Sequence, residues 1–369
     1  MLEVALSKHR TLRRVVPAVT VIIPAYNAMR YLPRTLHSVL QQTYQDFSVV
    51  IVDDGSQDGL LAWYRQLSDR IKAKVRLLSQ PRQGTARARN AGLFSSDSPY
   101  VAFLDADDLW LPNKLARQMA FLAARPAVSL VYCWSAAVDG DGEWTGHLYT
   151  GRLKTGRLST RQLRARQLST ERTARLHQLT WANLVVRNEI STPSTVLARR
   201  SCLAAVGGFD PALHSYVEDK DLWLRIARNH RIGWIPEVLV HKRRHSLNTS
   251  KQWQAMEKAG YQVIEKAFAS PPDAIAHHQL RRLRQRSHAE LNHLLAWKPL
   301  QTDEIDIQVA WNYWLSAWRC LPTIAFSKES CKLIFVMGIL TIVGIQRYRQ
   351  ILRLVAKLRY WLSQVKTFT

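Results

Sequence analysis

A chain of 369 residues, 47% of them hydrophobic, has the make-up of a globular protein and can bury a full α/β core with about a hundred residues left over. Its formal net charge of +24 says little about fold and points to anionic partners: nucleic acid, an anionic membrane surface or phosphorylated substrates. Four cysteines (Cys133, Cys202, Cys320, Cys331) lack CxxC spacing, which fits buried thiols in a reducing compartment and argues against a disulfide framework or a zinc site.

The arm 1–17 is basic but has no apolar core for a signal peptide. The longest apolar run, Leu333 to Ile345, is thirteen residues, whereas a spanning helix needs about 20. The expected location is therefore cytoplasmic.

Val19 to Ile23 is a short β-rich run closed by Pro24, and a helical pattern follows through Tyr31, Leu32, Leu36, Val39 and Leu40. Ser48 to Val52 is a second such run and ends in Asp53-Asp54-Gly55-Ser56. Lys74 to Leu78 makes a third, and Gln83 to Gly92 reads as a loop entering a small-residue helix. Tyr100 to Leu104 is the fourth, running straight into Asp105-Ala106-Asp107-Asp108. Strands alternating with helices at this spacing predict parallel βαβ units, whose ligands sit outside the carboxyl ends of the strands. Asn27, Asp53, Asp54 and the Asp105–Asp108 cluster all fall at such ends.

These residue types have chemistry available. Clustered carboxylates repel one another, and a hard divalent cation, Mg²⁺ or Mn²⁺, offsets the repulsion. Asp54 can accept from a nucleobase N–H or a ribose hydroxyl, and Arg89 can reach a diphosphate or the base. Gly55 and Gly84 permit tight turns. For Asp53, Asp58 and Asn90, turn capping is as good a reading as ligand contact. Arg87 reads as a solvated helix residue.

Four segments in order, Val21-Ile22-Ile23-Pro24-Ala25-Tyr26-Asn27, Val52-Asp53-Asp54-Gly55-Ser56, Ala88-Arg89-Asn90 and Phe103-Leu104-Asp105-Ala106-Asp107-Asp108, resemble the family-2 inverting glycosyltransferases of GT-A fold. Pro112, Lys114 and Leu115 extend the match. The resemblance implies an α/β GT-A fold with a mostly parallel central sheet flanked by helices. It implies a nucleoside-diphosphate-sugar donor, with UDP the commonest carrier, and a saccharide or lipid-linked acceptor in cell-surface polysaccharide or glycan synthesis. It places donor contacts at Pro24, Tyr26, Asp54, Arg89 and Asp105, and a Mn²⁺ or Mg²⁺ at Asp107.

Further on, Ser129 to Trp134 predicts another strand, and Gly151 to Arg175 is a basic insertion with eight basic residues and one acid. The insertion reads either as solvated or as a flap over the acceptor or against anionic lipid. Tyr216 to Arg225 predicts a helix with Glu218, Asp219 and Asp221 at its start, where the helix dipole favours negative charge. By resemblance Asp219 is the catalytic base, with Glu218, Trp223 and Asp108 around the acceptor or behind the first contacts. Direct displacement asks for such a base, because the attacking hydroxyl must lose its proton. Arg243-Arg244-His245 resembles the family's Arg-x-His segment, which puts His245 near the donor diphosphate and the metal. Lys242 departs from the aromatic residue common there.

The linear reading gives a catalytic domain over 18–258, divided into a nucleotide-sugar half (18–134), the insertion (140–182) and an acceptor half (183–258), then a helical basic region over 259–369. Helical stretches are expected at Ala276 to Trp297 and Val309 to Trp318. Tyr348, Ile351, Leu352, Val355, Leu358 and Leu362 share one helical face with Arg353 and Lys357 opposite, and no acid follows Glu329, so a peripheral contact with an anionic membrane is expected. The alternative is packing on the catalytic domain.

A nucleic-acid-binding protein would carry a finger, RNP-like or basic-zipper pattern, and none occurs. A nucleotidyltransferase of sugar phosphates would carry a Gly- and basic-rich loop where Pro24-Ala25-Tyr26-Asn27 stands. Retention of Asp107 together with Asp219 argues against an inactive scaffold.

Overall fold

The computed structural model describes residues 16–150, 153–155, 179–213, 217–245, 253–302, 304–344 and 346–347. In chain order the elements begin with β1 (Val19–Ala25), α1 (Leu32–Leu40), β2 (Phe47–Asp53), α2 (Leu60–Gln66), α3 (Asp69–Lys72) and β3 (Val75–Ser79). Next come α4 (Thr85–Phe94), β4 (Tyr100–Phe103), β5 (Leu109–Trp110), α5 (Lys114–Ala123), β6 (Val128–Val138), β7 (Trp144–Thr150) and β8 (Leu153–Thr155). Then follow α6 (Trp181–Val186), β9 (Val196–Arg199), α7 (Arg200–Ala205), α8 (Glu218–Asn229) and β10 (Arg231–Arg243). The last helices are α9 (Trp253–Ala269), α10 (His277–Ala296), α11 (Ile307–Cys320) and α12 (Lys328–Val343).

The chain divides into two compact units. One comprises Met1–His177, Ser191–His214 and His230–Arg244, the other Gln178–Ile190, Ser215–Asn229 and His245–Thr369. The division does not follow the linear reading. Residue 259 lies inside the single helix α9, so no break occurs there, and α8 belongs with the C-terminal helices. Fading sequence resemblance marks where a motif ends; a unit boundary is set by which side chains pack together.

The first unit is built on a ten-stranded sheet ordered β3-β2-β1-β4-β9-β6-β10-β5, with β7 on β6 and β8 on β7. The leading four strands are parallel, as their alternation with helices predicts. β9 runs antiparallel to both β4 and β6, β10 is parallel to β6, and β5 returns antiparallel on β10. Central position explains the unbroken apolar run of β1, in which Val19, Val21, Ile22 and Ile23 are wholly buried. On α1, Leu32, Leu36 and Val39 recur at helical spacing and enter the same core as β1 and β2.

Pro24 lies inside β1 rather than closing it. Ile22 turns its carbonyl to β4, where Leu104 N–H donates to it. Pro24, two residues on, turns its missing N–H the same way, past the last β1–β4 pair, so no ladder bond is lost.

In the second unit, Thr180 and Asn183 form a reciprocal capping box at the start of α6. Trp181 meets Phe268 of α9 edge-to-face at 5.4 Å. Ala296, Ala310, Leu333 and Met337 form a small core joining the end of α10 to α11 and α12. The two helices expected in the tail are therefore α10 and α11. Most of the basic insertion and the amphipathic stretch from Tyr348 to Leu362 lie outside the described residues.

Candidate functional site

The loops leaving β1 and β2 are stitched together. Asn27, in the left-handed region at φ 48°, accepts from the Gln57 N–H at 2.8 Å and donates its own N–H to Ser56 Oγ at 3.0 Å. Asp58 accepts from Met29 N–H, and Asp53 accepts from Ser56 N–H. Asp53 and Asp58 thus serve as turn caps. The bracing leaves Tyr26 40% exposed, with the Arg82 guanidinium 4.2 Å from its ring centre. An open aromatic face and a cation make a surface that a planar base can stack on.

Asp54 is 5% exposed, and its carboxylate holds the loop after β3. Oδ1 accepts from Gln80 Nε2 at 2.7 Å and Gln83 N–H at 2.8 Å, and Oδ2 accepts from Gly84 N–H at 2.8 Å. Gly84, at φ +91°, then opens α4, whose buried face carries Arg89. Arg89 pairs with Asp105 at 2.7 Å and lies 5.2 Å from the Phe209 ring. Asn90 grips the Phe209 backbone at both ends, donating to its carbonyl and accepting from its N–H, each at 2.8 Å. Asp54, Arg89 and Asp105 are therefore brought together through one loop and one helix, and Asn90 is a clamp. Arg87 is exposed, as expected.

The acid loop after β4 is fixed from three distant segments. Thr192 Oγ1 donates to Asp105 Oδ2 at 2.8 Å, and Asp105 N–H donates to Ser194 Oγ at 3.0 Å. Ser194 Oγ donates to Asp108 Oδ2 at 2.7 Å, and Arg243 N–H donates to Asp108 Oδ1 at 2.9 Å. The Arg243 guanidinium spans the carbonyls of Asp107 at 2.9 Å and Gly140 at 2.7 Å. From α1, Thr35 Oγ1 reaches the carbonyl of Ala106 at 2.8 Å. Asp108 is a buried brace, 2% exposed; burial first, then the charges of Asp107 and Asp105, push its pKa well above the ordinary carboxylate value. Thr192, Ser194 and Thr35 are not legible as site residues in the sequence, and Arg243 is marked there only as part of the Arg-x-His segment. The one available signal is the density of hydroxyls in Ser191-Thr192-Pro193-Ser194-Thr195, unusual for a segment leading into a buried strand.

Among the described residues no group of three acid, histidine or cysteine side chains converges as a metal cage. The donor set nevertheless suits a cation held jointly with a phosphate ligand. Asp107 is half-buried on a loop it shares with Asp105 and Asp108, and hard oxygen donors of this kind hold Mg²⁺ or Mn²⁺ with one or two carboxylates plus substrate phosphates.

In the second unit, Glu218 and Asp219 form the first turn of α8. Asp219 is half-buried; its Oδ1 accepts from Lys220 N–H at 2.7 Å, and its Oδ2 from Asn188 Nδ2 at 3.4 Å. Burial lowers the Lys220 pKa to about 8 against the opposing pull of Asp219 and Glu290. Asp221 is taken up by ion pairs with Arg225 at 2.7 Å and Lys266 at 2.8 Å. Trp223 is fully buried, so it packs behind the acids and does not reach a ligand itself. His245 stands at the start of the last segment of this unit.

A mostly parallel sheet with polar groups gathered at the carboxyl ends of its leading strands defines an α/β protein with its candidate ligand site at that rim. Residues 20–180 match the family described as Glycosyl transferase family 2. An uncharacterised glycosyltransferase of Nostoc is 41% identical over 114 residues, covering 31% of this chain and 35% of that one. The UDP-Glc:alpha-D-GlcNAc-diphosphoundecaprenol beta-1,3-glucosyltransferase WfgD of Escherichia coli is 35% identical over 28% of this chain and 40% of its own. The chain thus spans well under half the length of both relatives. Among solved structures, the mannosyltransferase PcManGT of Pyrobaculum calidifontis, in complex with GDP-Man and Mn²⁺, has a TM-score of 0.55 at 19% identity, covering 91% of this chain and 83% of that one. At that identity the likeness concerns the fold. Residues 20–180 therefore resemble a glycosyltransferase family 2 domain, and the fold is similar to that of GT-A glycosyltransferases.

Proposed function

We propose that the protein transfers a glycosyl group from a nucleoside-diphosphate sugar, a UDP-sugar above all, to a hydroxyl of a saccharide or lipid-linked acceptor, with inversion at the anomeric carbon. The observation that carries this reading is the continuous hydrogen-bonded platform running from Asp54 through Gly84 and Arg89 to Asp105. It is built at the strand ends of a family-2 domain. WfgD, by its name, uses a UDP-sugar and a diphospholipid-linked acceptor, which supports both substrate classes here.

In this reading Tyr26 and Arg82 receive the base, the Asp54-held loop and Pro24 shape its pocket, and Arg89 holds Asp105 toward the ribose or sugar. The acceptor oxygen forms its bond to the anomeric carbon as the bond from that carbon to the diphosphate oxygen breaks. The acceptor proton passes to Asp219, the base. Asp107, with His245, would hold a Mn²⁺ or Mg²⁺ together with the donor phosphates, and the cation supplies charge neutralisation for the departing diphosphate. Glu218 and Trp223 support Asp219, and Asp108 supports Asp107 through the braced loop.

The test separates donor binding from transfer. With a panel of nucleotide sugars and Mn²⁺, calorimetry should show metal-dependent donor binding that Asp107→Ala abolishes and Asp219→Asn leaves intact. Asp219→Asn should lose transfer by about 10²-fold or more, the usual size of a positioned base's contribution. Ordinary turnover in that variant would remove the base assignment.

A further inference from the structure

Helix α12 has two apolar faces and only one of them is covered. Ser330, Leu333, Met337 and Leu340 recur at helical spacing and are buried, packing toward α11 and the end of α10. The opposite stripe, stepping four, three, four and three residues, is Lys328, Lys332, Phe335, Ile339 and Ile342. Phe335 is 67% exposed and Ile342 is 86% exposed. Phe326, two residues ahead of the helix, is 86% exposed as well. Large side chains this open in water mark a surface with a partner.

We infer that this outer stripe of α12 is a membrane-docking face, on which the helix lies flat in the headgroup region of an anionic bilayer with Phe335, Ile339 and Ile342 inserted. Charge selects the bilayer over other occupants. Lys328 and Lys332 lead the stripe, and from Ser330 to the end the chain has seven Lys or Arg and no Asp or Glu. Anionic lipid meets both the cations and the apolar side chains. A second copy docked by a twofold on the same face would set lysine against lysine with the helices parallel, or Lys328 and Lys332 over Ile342 and Ile339 with them antiparallel, and neither arrangement gives the cations an anionic partner. Crossing is not an option for α12: among the described residues no helix is long and apolar enough to span a membrane. The inference stands apart from the transfer chemistry, although it would bring a lipid-linked acceptor and the protein to one surface.

The experiment is flotation of the full-length protein with vesicles of phosphatidylcholine alone and of phosphatidylcholine mixed with phosphatidylglycerol. The wild type should float with the anionic vesicles and stay largely unbound with the neutral ones. The double variant Phe335→Ser/Ile342→Ser should lose about ten-fold or more in partitioning, the scale set by removing two inserted apolar side chains. Its melting temperature and nucleotide-sugar binding should be unchanged, because both side chains are exposed. Lys328→Gln/Lys332→Gln should weaken binding to the anionic vesicles only. Equal flotation of the Phe335→Ser/Ile342→Ser variant and the wild type would overturn the inference, because binding would then reside in other basic segments. So would a wild-type dimer in sedimentation that this variant converts to monomer, since the face would then belong to a second copy.

Discussion

Glu290 on α10 grips Arg187 with both carboxylate oxygens, at 2.9 and 2.8 Å from one guanidinium nitrogen. Arg187 immediately precedes Asn188, whose amide reaches Asp219, and Glu290 also lends its field to Lys220 beside that acid. The C-terminal helices therefore hold the end of α6 and the start of α8, between which the proposed base is set. Glu290→Gln should cost about 1 kcal/mol of stability, the modest value being due to a pair that is roughly a third exposed. If Asp219 is the base, the same variant should lower kcat and leave donor affinity alone. Urea unfolding and donor titration read the two effects separately.

Lys114 gives a stability profile with a defined direction. It is fully buried, donates to Gln118 Oε1 at 2.7 Å and lies 3.8 Å from the Trp110 ring centre. Burial lowers its pKa to about 7 from 10.5. Between those values the unfolded chain binds a proton that the folded one releases, so stability rises with pH across that window. The gain is complete above the unfolded value and is lost as pH falls through about 7. Lys114→Met should flatten the profile over that window, as read by thermal melts at a series of pH values. An unchanged slope would show that another group titrates there.

Gly208 sits at φ +70°, and a Cβ built on it would come 2.5 Å from Asn90 Oδ1, the atom that receives the Phe209 N–H. Gly208→Ala meets strain and clash together, and should cost about 2–3 kcal/mol. Because Phe209 flanks Arg89, nucleotide-sugar affinity should fall with it. Loss of stability with full donor affinity would mean that the Arg89 pair does not depend on the clamp.

Asp54→Asn replaces one acceptor oxygen by an amide donor, which then faces either the Gly84 N–H or the Gln83 N–H and Gln80 Nε2. The unmet donors should cost about 1–3 kcal/mol. The loop that leads into α4 would loosen, and nucleotide affinity should drop more than transfer rate at saturating donor. Equal affinity in calorimetry would separate the loop from donor binding.

Much of the rim was legible in the chain. Tyr26, Asp54, Asp105 and Asp107 stand at or beside strand ends and Arg89 one turn into the helix after β3, and strand termini and turn residues are local signals. Their partners were not legible. Arg243 reaches Asp108 across 135 residues, and Thr192 reaches Asp105 across 87. A serine or threonine beside a proline reads as a turn until the acid it serves is known. Asp54 likewise reads as a ligand-facing carboxylate, while its carboxylate's three hydrogen bonds in the structure are to the loop after β3.

Sequence by itself determined the alternation of strands and helices, the parallel start of the sheet and the acids gathered at its rim. Periodicity and chain punctuation act over a few residues and survive without a fold. Tertiary structure decided that β9 runs antiparallel between β4 and β6 and that the Asp219 helix joins the C-terminal helices. It also decided that the run from Leu333 to Ile342 is covered on one side only. Each of these depends on which distant surface excludes water from a given side chain, and no local pattern records that choice.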